Sequence, residues 1–276
     1  MTVAAESGPE IHILHQAFNM VSSRSYMITL IGGGGKTSLM YYLAYASRAM
    51  GRRPVTITTT KLYYSAAPER PTYFVKNRTD CFRVLAETEN KNTVITLAGG
   101  FDPHDSRKIT GIDPRWIDTI LEQSENLVCI VEGDGAAGKS LKAHASYEPV
   151  IPSRSDWVIP VIGMDIIGKP LNEHNVHRAE RFSFLTGMSI GDPVTEKRIV
   201  RILTHSEGYL HNCPQRAKVI PFLNKVESPE QREAAWRIAG KFFASFSLPG
   251  IRPEGILLGS IRNRHLEYID NLYLER

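Results

Sequence analysis

Short apolar runs separated by longer amphipathic stretches set the pattern of this chain. The runs at 26–31, 54–60, 93–97, 127–131, 157–162, 218–223 and 255–258 lack the two-residue alternation of a half-exposed strand. Strands buried on both faces have this character, and helices between them imply a mostly parallel sheet. The clearest helix is predicted over 36–50, where Leu39, Leu43, Ala46 and Met50 form one stripe and Gly51 follows as a stop signal. Further helices are predicted over 80–89, 114–124, 177–185, 195–204 and 229–246, the last opening at Pro229 with Ser228 as its cap. The expected fold is a three-layer α/β arrangement, a mostly parallel central sheet flanked by helices.

Composition narrows the classes without naming one. With 276 residues, 42% hydrophobic and 22% charged, the chain is long enough for one large α/β domain and too apolar to be disordered. We expect residues 1–276 to form a single domain, with room for a smaller C-terminal lobe after about residue 153, where the composition changes. The first eighteen residues carry Glu6 and Glu10 where a secretion signal needs an apolar stretch, and no run is long enough to span a bilayer, so a cytoplasmic protein without membrane contact is expected. Cys81, Cys129 and Cys213 are odd in number and far apart, which argues against a disulfide framework or a CxxC metal site. The net charge of +4 is scattered and gives no extended stripe for a nucleic acid, but a phosphorylated small molecule needs only a few local positive groups.

Two glycine-rich loops compete for such a ligand. Gly133 to Ser140 reads GDGAAGKS and matches the full Walker spacing, whereas Gly32 to Ser38 reads GGGGKTS and lacks the leading glycine. Phosphate binding, however, needs a strand, a tight turn of converging N–H groups and then the positive end of a helix. The run 26–31 and the helix 36–50 supply that setting to the shorter loop. The longer one is followed within about ten residues by Pro149 and holds the carboxylate of Asp134 inside its own turn. The phosphate loop is therefore assigned to Gly32, Gly33, Gly34 and Gly35, with Lys36 on the β and γ phosphates, Thr37 on Mg²⁺ and Ser38 beside it.

Strand 127–131 runs into Glu132, Gly133 and Asp134, which puts two acids at the carboxyl end of a buried strand, where one can hold Mg²⁺ and another orient water. Asp134 is expected at the metal ahead of Glu132, with Lys36 and one of these acids carrying catalysis; Asp102 is another acid that could position water. Lys139 and Lys142 read as surface charges before substrate contacts. Thr58, Thr59, Thr60 and Lys61 close the second strand at the ligand-binding edge of an open sheet, where Thr60 or Lys61 could sense a γ-phosphate. His174 and His177 have no third ligand in view, and Arg178 with Glu180 reads as a helix-start ion pair. Asn224, Lys225, Val226 and Glu227 follow the strand 218–223 and resemble the NKxD element with which GTPases read guanine, with Glu in place of Asp. ATP and GTP both remain open.

Taken together, GGGGKTS at 32–38, TTTK at 58–61, VEGDGAAGKSLKAHASYEPVIP at 131–152, GMDIIGKPL at 163–171, VHRAE at 176–180 and NKVE at 224–227 resemble the selenium-dependent hydroxylase accessory proteins of the YqeC type. Gly133 and Ser140 depart from that family's usual acidic loop, closer to EADGA followed by PLK. The resemblance implies a P-loop NTPase-like fold, a bound nucleotide and an association with maturation of selenium-dependent molybdenum hydroxylases, whose enzymes or cofactor-assembly proteins would be partners. The motif set is also similar to the P-loop metallochaperone GTPases. A Mg²⁺-dependent nucleoside triphosphatase is the expected activity, with a small-molecule kinase or a non-hydrolysing, nucleotide-gated binding module as the alternatives.

Overall fold

The apolar runs pair into one eleven-stranded sheet in the computed structural model, which describes residues 9–270 apart from Ser22, Ser65 and Asn90. The opening residues 1–8 lie outside the described residues. Nine strands form the main path: β1 (Tyr26–Gly32), β2 (Arg53–Thr58), β3 (Thr72–Phe74), β4 (Ile95–Ala98), β5 (Leu127–Glu132), β6 (Trp157–Gly163), β7 (Phe222–Asn224), β8 (Gly255–Ser260) and β9 (His265–Asp270). Across the sheet they run β9, β8, β7, β6, β1, β5, β2, β4, β3, and every neighbouring pair is parallel except the closing hairpin of β8 and β9. The glycine-bearing β1 lies at the centre between β6 and β5, so strands from both sides of residue 153 share one sheet.

The helices follow the hydrophobic stripes. They are α1 (Pro9–Phe18), α2 (Lys36–Ala49), α3 (Arg78–Glu87), α4 (Pro114–Glu122), α5 (Ala179–Thr186), α6 (Glu196–Thr204) and α7 (Pro229–Ser245). One face of the sheet packs Ile28, Leu30, Ile130 and Val161 against Leu39, Met40 and Leu43 of α2, with Phe18 of α1 beside them. The other face packs Val55, Cys129 and Val131 under α3 and α4, and Val158, Leu223 and Leu258 under α5, α6 and α7. This is the expected three-layer α/β fold with a mostly parallel central sheet. Ser228 caps α7 as expected and completes a reciprocal bond with Gln231.

The departures have local causes. The run 218–223 divides into Lys218–Val219 and Phe222–Asn224 around Pro221, which has no N–H for the ladder. The antiparallel edge strand β9 and a small sheet of Leu62–Tyr63, Gly100–Asp102 and Asp105–Thr110 escape the sequence reading because they are short or charged. Helix α1 has no counterpart among the predicted helices. Among the described residues no helix is long and apolar enough to cross a membrane, and all three cysteines are free.

Ile130, fully buried in β5, tests the central packing. Ile130→Ala should lower unfolding free energy by about 2–5 kcal/mol in a urea titration, with the denaturant slope unchanged.

Candidate functional site

The glycine loop joins the buried end of β1 to the start of α2, and each glycine is set against protein. A Cβ at Gly34 would lie 2.2 Å from the Gly163 nitrogen, and one at Gly35 would lie 2.5 Å from Asn224 Nδ2. Gly34 and Gly35 also have φ of +84° and +119°, which side-chain-bearing residues rarely adopt. The glycines thus serve the protein's own close packing first. The expectation that all four amides face an anion changes accordingly. Gly32 N–H donates to both Asp134 oxygens at 3.0 and 2.9 Å, and Gly33 and Gly34 N–H donate to the Val161 and Lys139 carbonyls, each at 2.9 Å. Three glycines therefore complete the strand crossover. Helix α2 begins at Lys36 with no side-chain cap on Gly35, so the N–H groups of its first turn, including those of Thr37 and Ser38, keep the unsatisfied, positive character of a helix start.

Beneath the loop lies a buried ion cluster. Lys36 Nζ donates to the Gly32 carbonyl at 2.5 Å and stands 3.2 Å from Asp134 and 3.7 Å from Glu132. The far side of Asp134 meets Lys142 Nζ at 3.1 Å and His144 Nε2 at 2.5 Å. Lys142 continues to Glu148 at 3.1 Å, and Glu148 pairs with Arg178. Burial works against an ionised Asp134, but Lys36, then His144 and Lys142, outweigh it and hold the carboxyl well below the usual carboxylate range. Glu132 goes the other way: burial pushes its pKa up, only partly offset by Lys36 and Thr37.

The two acids therefore take different places. Thr37 Oγ1 donates to Glu132 Oε2 at 2.8 Å, whereas Asp134, expected first at the metal, is fully buried in the ion cluster. The shared-face argument fails because β5 ends at Glu132 and the two-residue period stops with it. Lys142, read as a surface charge, is fully buried. Lys139 pairs with Glu173, and Arg178 bonds Glu148 rather than opening its helix with Glu180. The Walker-like loop at 133–140 leads into the short strand Leu141–Lys142 and not into a helix, and its Lys139 carbonyl serves Gly34.

At the end of β2 the Thr60 hydroxyl is buried without a hydrogen-bond partner among the described residues. Lys61 turns to Asp102 at 2.7 Å, away from the role proposed for either. No group of three or more His, Cys, Asp or Glu residues is placed to hold a metal ion among the described residues, His174 and His177 included.

On the opposite flank of the loop, Asn224 Nδ2 donates to the Gly34 carbonyl at 2.7 Å and Asn224 Oδ1 accepts from Ile261 N–H at 3.2 Å. Lys225 bonds Ser140 and Asp165 at 2.6 and 3.2 Å, and Glu227 Oε1 accepts from Ser260 Oγ at 2.9 Å. These residues border a cavity of about 600 Å³ that reaches Gly34, Gly35 and Ser38. His144, Ser260 and Ile261 were missed by sequence reasoning. Only Ser260, at the end of the strand beside NKVE, carried a positional signal. A second cavity, about 520 Å³, opens at the other end of the strands, around Arg52 and Arg53. Arg52 and Arg53 already bond backbone carbonyls and Glu89, and ligands of parallel sheets collect at the opposite edge.

Asp134→Asn should destabilise the protein by about 3–5 kcal/mol at pH 7, since it leaves Lys36 and Lys142 buried without their shared anion; urea unfolding measures it. The depressed Asp134 pKa also fixes a sign. Its contribution is full above the unfolded value of about 4 and declines as pH falls toward the lower folded value. The stability gap between wild type and variant should therefore narrow below about pH 4.

Comparison with known proteins places the chain. Residues 28–180 match the model of the family described as YqeC protein. Over 207 residues the chain is 30% identical to the uncharacterized protein YqeC of Escherichia coli (strain K12), covering 75% of this chain and 78% of that one. It is also similar to a crystal structure of the signal recognition particle 54 kDa protein from Aeropyrum pernix K1 in complex with GDP, with 13% identity and a TM-score of 0.38. That alignment covers 94% of this chain but 48% of the other, so this chain spans about half its length. With the family match running from β1 through the start of α5, this chain belongs to the YqeC family.

Proposed function

We propose that this protein is a Mg²⁺-dependent nucleoside triphosphatase of the P-loop type, built as one domain around the central sheet. The observation that carries the reading is the bond from Thr37 to Glu132, 2.8 Å long, at the point where β1, the glycine loop and α2 meet. Mg²⁺ takes oxygen ligands and keeps several of its waters. A hydroxyl and a carboxylate already paired beside a buried lysine fit that preference, so Thr37 and Glu132 would hold the ion; bound, it supplies charge neutralisation at the transferring phosphoryl group.

The chain's own residues do the rest. The first-turn N–H groups of α2 face the phosphates and stabilise the charge that develops on their oxygens; the Lys36 ammonium, held beneath the loop by Gly32, Asp134 and Glu132, would join them only by leaving those partners. Asp134 acts as a positioning residue: it anchors Gly32 and Lys36 from below, in place of the metal role first expected of it. The resemblance to selenium-dependent hydroxylase accessory proteins supports coupling of this cycle to the maturation of a molybdenum hydroxylase, with that enzyme or its cofactor-assembly proteins as partners.

Thr37→Val keeps the side-chain shape and removes the hydroxyl. It should abolish the Mg²⁺ dependence of triphosphate binding in calorimetry, and Glu132→Gln should cut phosphate release by about 100-fold or more. Lys36→Ala should lose triphosphate binding altogether. Because Lys36 is buried against two acids, its variant is checked for native circular dichroism first. Triphosphate affinity unchanged in a folded Lys36→Ala protein would refute the site, and a labelled organic product in place of free phosphate would mark a kinase.

A further inference from the structure

Resting on the proposed nucleotide site, we infer that Lys142 is a positioning residue for phosphate binding: it is the internal counter-charge that lets Lys36 leave Asp134. Lys36 starts from a closed position. It is 4% exposed, bonded to the Gly32 carbonyl and set between Asp134 and Glu132. Its ammonium reaches a phosphate only by giving those contacts up. Glu132 then keeps its bond from Thr37, but Asp134 has no solvent contact to fall back on. A carboxylate stranded in the interior without a cation is among the costliest groups a fold can hold.

The row of charges behind Asp134 supplies that cation. Lys142 Nζ lies 3.1 Å from Asp134 Oδ2 and 3.1 Å from Glu148 Oε2, and donates to the Gly135 carbonyl at 2.7 Å. Three partners match the three N–H donors of an ammonium. The pairing of Leu141–Lys142 with Val176–His177 fixes the backbone from which it reaches. Anchored in this way, the ammonium can favour either carboxylate without leaving its seat.

Each anion of the row is shared between two cations. Asp134 lies between Lys36 and Lys142, and Glu148 lies between Lys142 and Arg178. Withdrawing Lys36 therefore leaves two complete pairs, Asp134 with Lys142 and Glu148 with Arg178. Gly32 N–H and His144 also stay on Asp134. The other end of the row is Arg178, with a side chain 27% exposed and bonded to the exposed Tyr147. If Arg178 is withdrawn instead, Lys142 is committed to Glu148 and Lys36 is held on Asp134. Only one end of the row can be free at a time, so Glu148 and Arg178 set how much of Lys142 is available to Asp134.

Calorimetric titration of the full chain with the β,γ-imido analogues of ATP and GTP, Mg²⁺ present, tests the relay. Lys142→Met keeps the stem and removes the charge, and should weaken binding by at least about tenfold. Glu148→Gln releases Lys142 to Asp134 and should tighten binding by about three- to tenfold. Arg178→Gln leaves Lys142 as the sole cation of Glu148 and should weaken binding by about the same factor. Combined with Glu148→Gln, it should have no further effect, because Arg178 acts only through Glu148. Damage to the fold lowers affinity in every variant and cannot give opposite signs at neighbouring positions that vanish in the pair. Where Lys142→Met does not fold, the Glu148 and Arg178 variants decide. Wild-type affinity in a folded Lys142→Met protein, unchanged or weaker binding in Glu148→Gln, or an Arg178→Gln effect that persists in the double variant would overturn the relay and leave the nucleotide site standing. Failure of the wild type to bind either analogue would overturn both.

Discussion

The fully buried carboxylate of Asp134 is the contact on which the rest of the site depends. It closes β1 onto β5 through the Gly32 amide and sets Lys36 at the foot of the glycine loop. It also neutralises Lys142 in the layer behind. Charges are rarely buried so completely unless each is paired. The cluster resolves this by alternating sign from Lys36 through Asp134, Lys142 and Glu148 to Arg178. Such an arrangement gains geometric definition more than net stability, because desolvation cancels much of the attraction. The loop is therefore held by directed bonds, not by glycine flexibility.

That constraint divides the labour of the two acids. Asp134 faces inward and has its capacity used by Gly32, Lys36, Lys142 and His144. Glu132 has its hydrogen-bonded partner in Thr37 and carries the cost of burial as a raised proton affinity. A carboxylate in that condition responds strongly to any nearby positive charge. The spelling EGDG does not distinguish the two; their positions relative to the last paired residue of β5 do.

Much of the architecture was legible in the chain because long periodic segments report burial directly. The α2 stripe, the Ser228 cap and the seven apolar runs all reappear in the structure. Short edge elements did not show, since β9 and the Asp105–Thr110 strand owe their pairing to neighbours and not to their own apolar content. In the site, the shorter glycine loop was preferred over the better-spelled one because of the segment on its C-terminal side, and only the shorter loop leads into a helix. The partners of Asp134 were not legible. Lys142 and His144 look like the charges of a surface loop until the strand Leu141–Lys142 pairs with Val176–His177 and draws them inside.

The cavity walls come from two separate stretches of chain. The glycine loop and the acids lie within residues 28–180, which match the family model, whereas Asn224, Glu227 and Ser260 all lie beyond it. The Asn224 side chain reaches back from the later stretch to Gly34. Exchange of a few strand-end residues would reshape the cavity without disturbing the charge balance of the earlier half. The family match alone therefore does not reach the residues that close this cavity on its far side.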